Sequence, residues 1–171
     1  MSDSPFDNAR PRPVPTVLDT LRARIDHDDF DAAVFWLESV VADLGYGDVR
    51  ALPGSVAWID RLREEGKKIA LVYDHGRADA ALEIAGIADR FDAVVRGSRN
   101  AVTIEQALQA LGAPPERAVV IDTAPAGLEA GVSAGLGLAI AVARGAATPE
   151  QLRRSGATAV VADLQELLGP T

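Results

Sequence analysis

Ala32-Ala33-Val34-Phe35-Trp36-Leu37 is an apolar run with no alternation of polar and apolar residues. A strand flanked by helices on both sides of a parallel sheet has this pattern, because neither of its faces meets water. Polar residues resume at Glu38, so the strand is expected to open onto solvent between Trp36 and Ser39. That is the C-terminal edge, where open α/β sheets place their ligands.

Similar runs recur along the chain. Lys67–Tyr73, Asp92–Val95, Ala118–Ile121, Leu136–Val142 and Ala157–Val161 read as further strands. Ser55–Glu65, Ala78–Ile87, Thr103–Leu111, Leu128–Ala134, Pro149–Arg154 and Leu164–Leu168 carry helical spacing between them; in the first of these Val56, Ile59 and Leu62 recur every three residues before Gly66. Thr16–Ile25 is expected as an amphipathic helix with Val17, Leu18, Leu21 and Ile25 on one face. The proline-rich residues 1–15 are expected as a flexible tail, ahead of a single domain at 16–171. Leu44–Gly54 is a connection punctuated by glycine and proline. The alternation predicts an α/β protein, a three-layer α/β/α sandwich on a doubly wound, mostly parallel sheet. The strands beginning near Leu136, Ala118, Ala32 and Ile69 should be adjacent in that order.

With 171 residues, 48% of them hydrophobic and 25% charged, the chain has enough apolar material for one well-buried core. It contains no cysteine, which removes disulfides, thiol catalysis and thiolate metal sites. No apolar run has the length of a membrane span and the N-terminus lacks the order of a signal peptide, so a cytoplasmic location is expected. A net charge of -8 disfavours nucleic acid and anionic membranes as partners.

Several stretches together resemble the haloacid dehalogenase superfamily, in particular its beta-phosphoglucomutase-type branch. Phe30 to Asp43 is similar to that family's opening motif, and Gly66 to Tyr73 with Ala85 to Val95 to its second motif and the segment after it. Pro115-Glu116-Arg117-Ala118-Val119-Val120-Ile121-Asp122-Thr123-Ala124-Pro125-Ala126-Gly127-Leu128-Glu129-Ala130-Gly131 resembles its fourth motif, and Arg144-Gly145 with Leu152 to Leu168 its closing segment. The resemblance implies a Rossmann-like sandwich and, in the usual member, phosphoryl transfer through an aspartate with Mg²⁺.

Carried over position by position, the resemblance also implies that the usual chemistry is missing. The nucleophilic aspartate falls at Trp36, whose indole has no charge or lone pair to offer phosphorus or Mg²⁺. The acid/base aspartate falls at Glu38, the phosphate-binding hydroxyl at Tyr73, and the charge-offsetting lysine near Ser98, with Arg99 the nearest cation. The acidic pair of the fourth motif falls at Asp122 and Thr123. No catalytic residue and no cofactor are therefore expected, and Glu38 and Asp122 are only weak candidates for a metal. Trp36 is expected to plug the old cavity against Tyr73 or Thr123. The helical cap domain that phosphosugar-active relatives insert after the first motif is replaced by Leu44–Leu52, leaving a capless member.

Other polar residues have plainer readings. Asp74 and His75 resemble a catalytic pair, but adjacent strand residues face opposite ways. His27, among Asp26, Asp28 and Asp29, reads as part of a solvated acidic turn. Arg77 and Arg99 lie at strand tips where they could hold an anion or pair with Glu38 and Asp122. Two functions remain. One is a catalytically inactive domain, a pseudoenzyme acting as a protein-binding, regulatory or assembly module, with a protein partner or a second copy meeting the edge near Leu44, Tyr46, Val49 and Leu52. The other is a hydrolase or phosphatase with a non-standard mechanism using Glu38, Asp122 and Mg²⁺-bound water.

Overall fold

In the computed structural model, residues 25–42 and 49–168 are described. Among them the strands are β1 (Ala32–Trp36), β2 (Val41–Ala42), β3 (Arg50–Ala51), β4 (Lys68–Tyr73), β5 (Ala93–Arg96), β6 (Ala118–Asp122), β7 (Leu138–Val142) and β8 (Ala159–Val161). The α-helices are α1 (Pro53–Glu64), α2 (Ala78–Ala85), α3 (Ala101–Leu111), α4 (Pro125–Ser133) and α5 (Pro149–Arg154). The expected tail at 1–15 and nearly all of the expected helix at 16–25 lie outside the described residues, as do Asp43, Leu44 and Tyr46.

The main sheet has six strands in the order β5-β4-β1-β6-β7-β8, and every pairing in it is parallel. The expected run of four strands is its centre. Val34 stands opposite Ala70 on one side and Val120 on the other.

Side chains alternate along each strand, so the sheet sorts its apolar residues into two cores. Ala33, Phe35, Ile69, Leu71, Val119 and Ile121 face one way, against Trp58, Ile59 and Leu62 of α1 and Leu82 of α2. Ala32, Val34, Trp36, Ala70, Val72 and Val120 face the other, against Ile104 and Leu108 of α3, Leu128 of α4 and Leu152 of α5. These three layers are the α/β/α sandwich that the buried runs required.

Several boundaries differ from expectation, each for a local reason. α3 starts at Ala101 because Asn100 caps it, its side chain accepting from Thr103 N–H. α4 starts at Pro125, since proline lacks only an N–H that the first turn leaves unpaired anyway. β7 starts at Leu138, because Leu136 N–H is used by Gly131 O to close the end of α4. The last segment, Leu164–Leu168, is a 3₁₀ helix.

The expected exposure of Trp36 to Ser39 is corrected: Trp36, Leu37 and Ser39 are buried and only Glu38 is partly open. After β1 the chain turns through a 3₁₀ helix at Leu37–Ser39 and enters an antiparallel β2–β3 pair. Ser39 Oγ donates to Trp36 O at 2.7 Å, Ser55 Oγ donates to Ser39 O at 2.6 Å, and Leu52 N–H donates to Val40 O at 2.8 Å. These bonds fold the connection back over the strand end. Only residues 43–49 join β2 to β3. No helix among the described residues is long and apolar enough to cross a membrane.

Candidate functional site

The C-terminal ends of β1, β4 and β6 and the turn after β5 converge at one edge of the sheet. Trp36, the last residue of β1, shares a face with Ala32 and Val34 and is fully buried. Its indole N–H donates to Gly127 O at 3.3 Å. That approach needs a glycine: a Cβ at 127 would lie 1.9 Å from Asp122 Oδ2 and 2.6 Å from Trp36 Cδ1. Tyr73 packs with the core on the opposite side of the sheet, as its alternation with Val72 requires, so of the two neighbours expected for Trp36, Tyr73 or Thr123, Tyr73 is corrected.

What lies over the Trp36 ring is Arg99, its Cζ 4.6 Å from the ring centroid, a cation–π distance. Arg99 reaches this place because the turn between β5 and α3 is tightly wound. Gly97 N–H donates to Tyr73 O, Asn100 N–H donates to Ser98 O, and Thr103 Oγ1 donates to Ser98 O at 2.6 Å. Ser98, where the resemblance puts the lysine, is thus an exposed turn residue.

Each nitrogen of the Arg99 guanidinium has its own carboxylate. Nε donates to Asp122 Oδ2 at 3.1 Å, Nη1 to Asp74 Oδ2 at 2.5 Å and Nη2 to Glu38 Oε2 at 2.5 Å. The expected pairing of Arg99 with Glu38 and Asp122 is present, and Asp74 is an addition. Asp122 is fully buried; its other oxygen accepts Thr123 N–H at 2.7 Å. Burial pushes the Asp122 carboxyl up to about 6, outweighing the guanidinium beside it. At Asp74 burial pulls the same way, but the hydrogen bond and charge of Arg99, helped by His75, hold the pKa below its ordinary value. Burial works against the charge on Arg99, yet Asp122, Asp74 and Glu38 together raise its pKa.

The alternation argument against an Asp74–His75 contact is corrected. β4 ends at Tyr73, both residues lie in the following bend, and His75 Nδ1 is 2.6 Å from Asp74 Oδ1. The signal was available in the polar run Asp74-His75-Gly76-Arg77, which marks a turn rather than more strand. His27 is corrected as well: its Nδ1 is 2.5 Å from Glu65 Oε1, and its Nε2 accepts from Trp58 Nε1 at 3.3 Å. It joins the connection before β1 to α1, at the far end of the sheet.

The donor set does not fit Mg²⁺. That ion asks for near-octahedral oxygens, whereas Glu38 and Asp122 both converge on a guanidinium lying over an indole. Ligand atoms of Glu38, Asp74 and His75 come within 4.8 Å of one another, a different trio from the expected pair. A metal there would meet the Arg99 charge already bonded to two of the three.

A second feature lies beside this cluster. Leu37, Val49, Ala80, Ala81 and Ile84 line a mostly apolar groove of about 490 Å³, with His75, Gly76 and Arg77 at its polar side. Of the edge residues expected to form a contact surface, Val49 lines this groove and Leu52 is half-buried where α1 begins.

Known proteins share both the fold and part of the sequence. A candidate beta-phosphoglucomutase from Thermotoga maritima superposes with a TM-score of 0.70 and 18% identity, over 81% of this chain and 97% of that one. A haloacid dehalogenase family hydrolase from Deinococcus radiodurans, solved with bound phosphate and sodium, gives 0.68 and 21% over 81% and 93%. An uncharacterized glycosyl hydrolase of Mycobacterium tuberculosis, known from two strains, is 42% identical over 118 residues, covering 61% of this chain. The chain spans 8% of that relative's length. The sequence pattern of the haloacid dehalogenase-like hydrolases matches residues 15–135, most of the sheet and the whole of the cluster around Arg99, and the chain belongs to that family.

Proposed function

We propose that the chain is a catalytically inactive haloacid dehalogenase-like domain that serves as a protein-interaction, regulatory or assembly module. The observation that carries this reading is Arg99, closed by Glu38, Asp74 and Asp122 over Trp36. A nucleophile must offer a lone pair to phosphorus, and the residue in that seat is an indole bonded to Gly127 O. The carboxylates left for a non-standard mechanism, Glu38 and Asp122, each give an oxygen to the same cation, which weighs against their holding a metal and its water between them. Glycosidic chemistry, which the relative's name brings to mind, needs two carboxyl groups flanking an open cleft, and here they converge on a side chain. The short β2–β3 connection leaves little to cover a small substrate, which supports a capless domain. A match to a small fraction of a long relative also suits a domain that accompanies others.

The test is turnover of p-nitrophenyl phosphate and of sugar phosphates with Mg²⁺. Activity at background is expected. Metal-dependent activity that survives rigorous purification and vanishes in Glu38→Gln would overturn the proposal in favour of the non-standard hydrolase.

A further inference from the structure

The groove beside the Arg99 cluster has features that the inactive-domain reading does not use. Its walls come from three places: Leu37 after β1, Val49 before β3, and one side of α2 with Ala80, Ala81 and Ile84. Ile84 is 66% exposed, the most exposed large apolar side chain among the described residues. A cavity of about 490 Å³ falls within the roughly 300–1,000 Å³ typical of small-molecule sites, which are likewise mainly apolar with a few placed polar groups.

The one fixed charge in the lining is Arg77. The Arg77 guanidinium makes no hydrogen bond or ion pair with another described residue, whereas Arg99, at the neighbouring strand tip, is saturated by three carboxylates. Arg77 is also the N-cap residue of α2 and places no side-chain cap on it, so the first-turn N–H groups of that helix lack a side-chain acceptor beside the same groove. His75 contributes its ring, with Nδ1 held by Asp74 and Nε2 left over. The nearby acids are Asp74, bonded to Arg99 and His75, and the exposed Asp79 of α2.

We infer that this groove is a binding site for an apolar monocarboxylate, with the apolar body on Leu37, Val49, Ala80 and Ile84 and the carboxylate on Arg77. A planar guanidinium takes a carboxylate through two parallel hydrogen bonds. A single negative charge suits the site better than a phosphate dianion, because Asp74, Asp79 and the chain's net charge of -8 repel the second charge. The inference is independent of the fate of Mg²⁺-dependent turnover, since none of the residues lining the groove occupies the nucleophile seat.

Calorimetric titration of the full chain with octanoate, 1-octanol and octyl phosphate tests it. Saturable octanoate binding is expected, with 1-octanol weaker by roughly tenfold, the equivalent of one charge-assisted hydrogen bond. Arg77→Gln, at an exposed position, should keep the melting temperature and lose the same roughly tenfold for octanoate alone. Ile84→Asp should weaken octanoate and 1-octanol together. Equal affinity for octanoate and 1-octanol, unchanged binding in Arg77→Gln, tighter binding of octyl phosphate, or no binding at millimolar octanoate would each overturn the inference.

Discussion

Arg99 uses all three of its guanidinium nitrogens on carboxylates and its flat face on Trp36. Such a residue was legible in the sequence as the nearest cation to the seat of the missing lysine, and Glu38 and Asp122 were legible as its acids. Asp74 was not, and its contact with His75 was missed because strand alternation was applied to two residues past the end of β4. Nor does residue type alone reveal that Tyr73 faces away from Trp36. The buried member of the cluster has a signature in solution. The Asp122 pKa, about 6 in the folded chain, lies above the unfolded value of 3.8, so its contribution to stability is fully present below about pH 4 and is lost as pH rises through 6. Asp122→Asn removes that titration. Denaturant midpoints should therefore show Asp122→Asn more destabilised relative to the parent at pH 4.5 than at pH 7. A gap that widens as pH rises would mean that Arg99 outweighs burial at this carboxyl.

At the scale of elements, the central strands could be read because a doubly buried strand leaves an apolar run that little else produces. The β2–β3 pair could not, since strands of two residues carry no periodicity to detect. The starts of α1, α3 and α4 read late because a cap or an N-terminal proline, rather than an apolar residue, opens each of them, whereas the start of α5 at Pro149 reads correctly. The turn from β5 into α3 is the element on which the site depends most. A Cβ at Gly97 would come within 2.2 Å of Thr103 Oγ1, in the first turn of α3. Gly97→Ala is accordingly expected to lower stability by about 1–3 kcal/mol, the usual cost of an added group where packing leaves no room. Thr103→Ala removes the clashing atoms, so the double variant should be less destabilised than the sum of the two single changes. Strict additivity in urea melts would show that the two residues do not meet.

For the molecule as a whole, the fold could be read further than the function because the fold is fixed by many apolar residues acting together, while the chemistry rests on a few side chains that have changed. The proposed module still needs a partner, and a second copy of the chain is the form most easily checked. Sedimentation velocity over a wide concentration range should then show a coefficient that rises with loading, whereas a coefficient that stays flat would remove the second-copy form of the proposal. Arg99 has a consequence for such experiments. An ion drawn from solution fills a site to an extent set by its concentration, and the stability that it lends varies accordingly. A cation carried on the side chain of residue 99 is present once per chain at every dilution. The edge of this sheet should therefore behave the same after exhaustive chelation as in magnesium-rich buffer, with its charge set by translation rather than by supply.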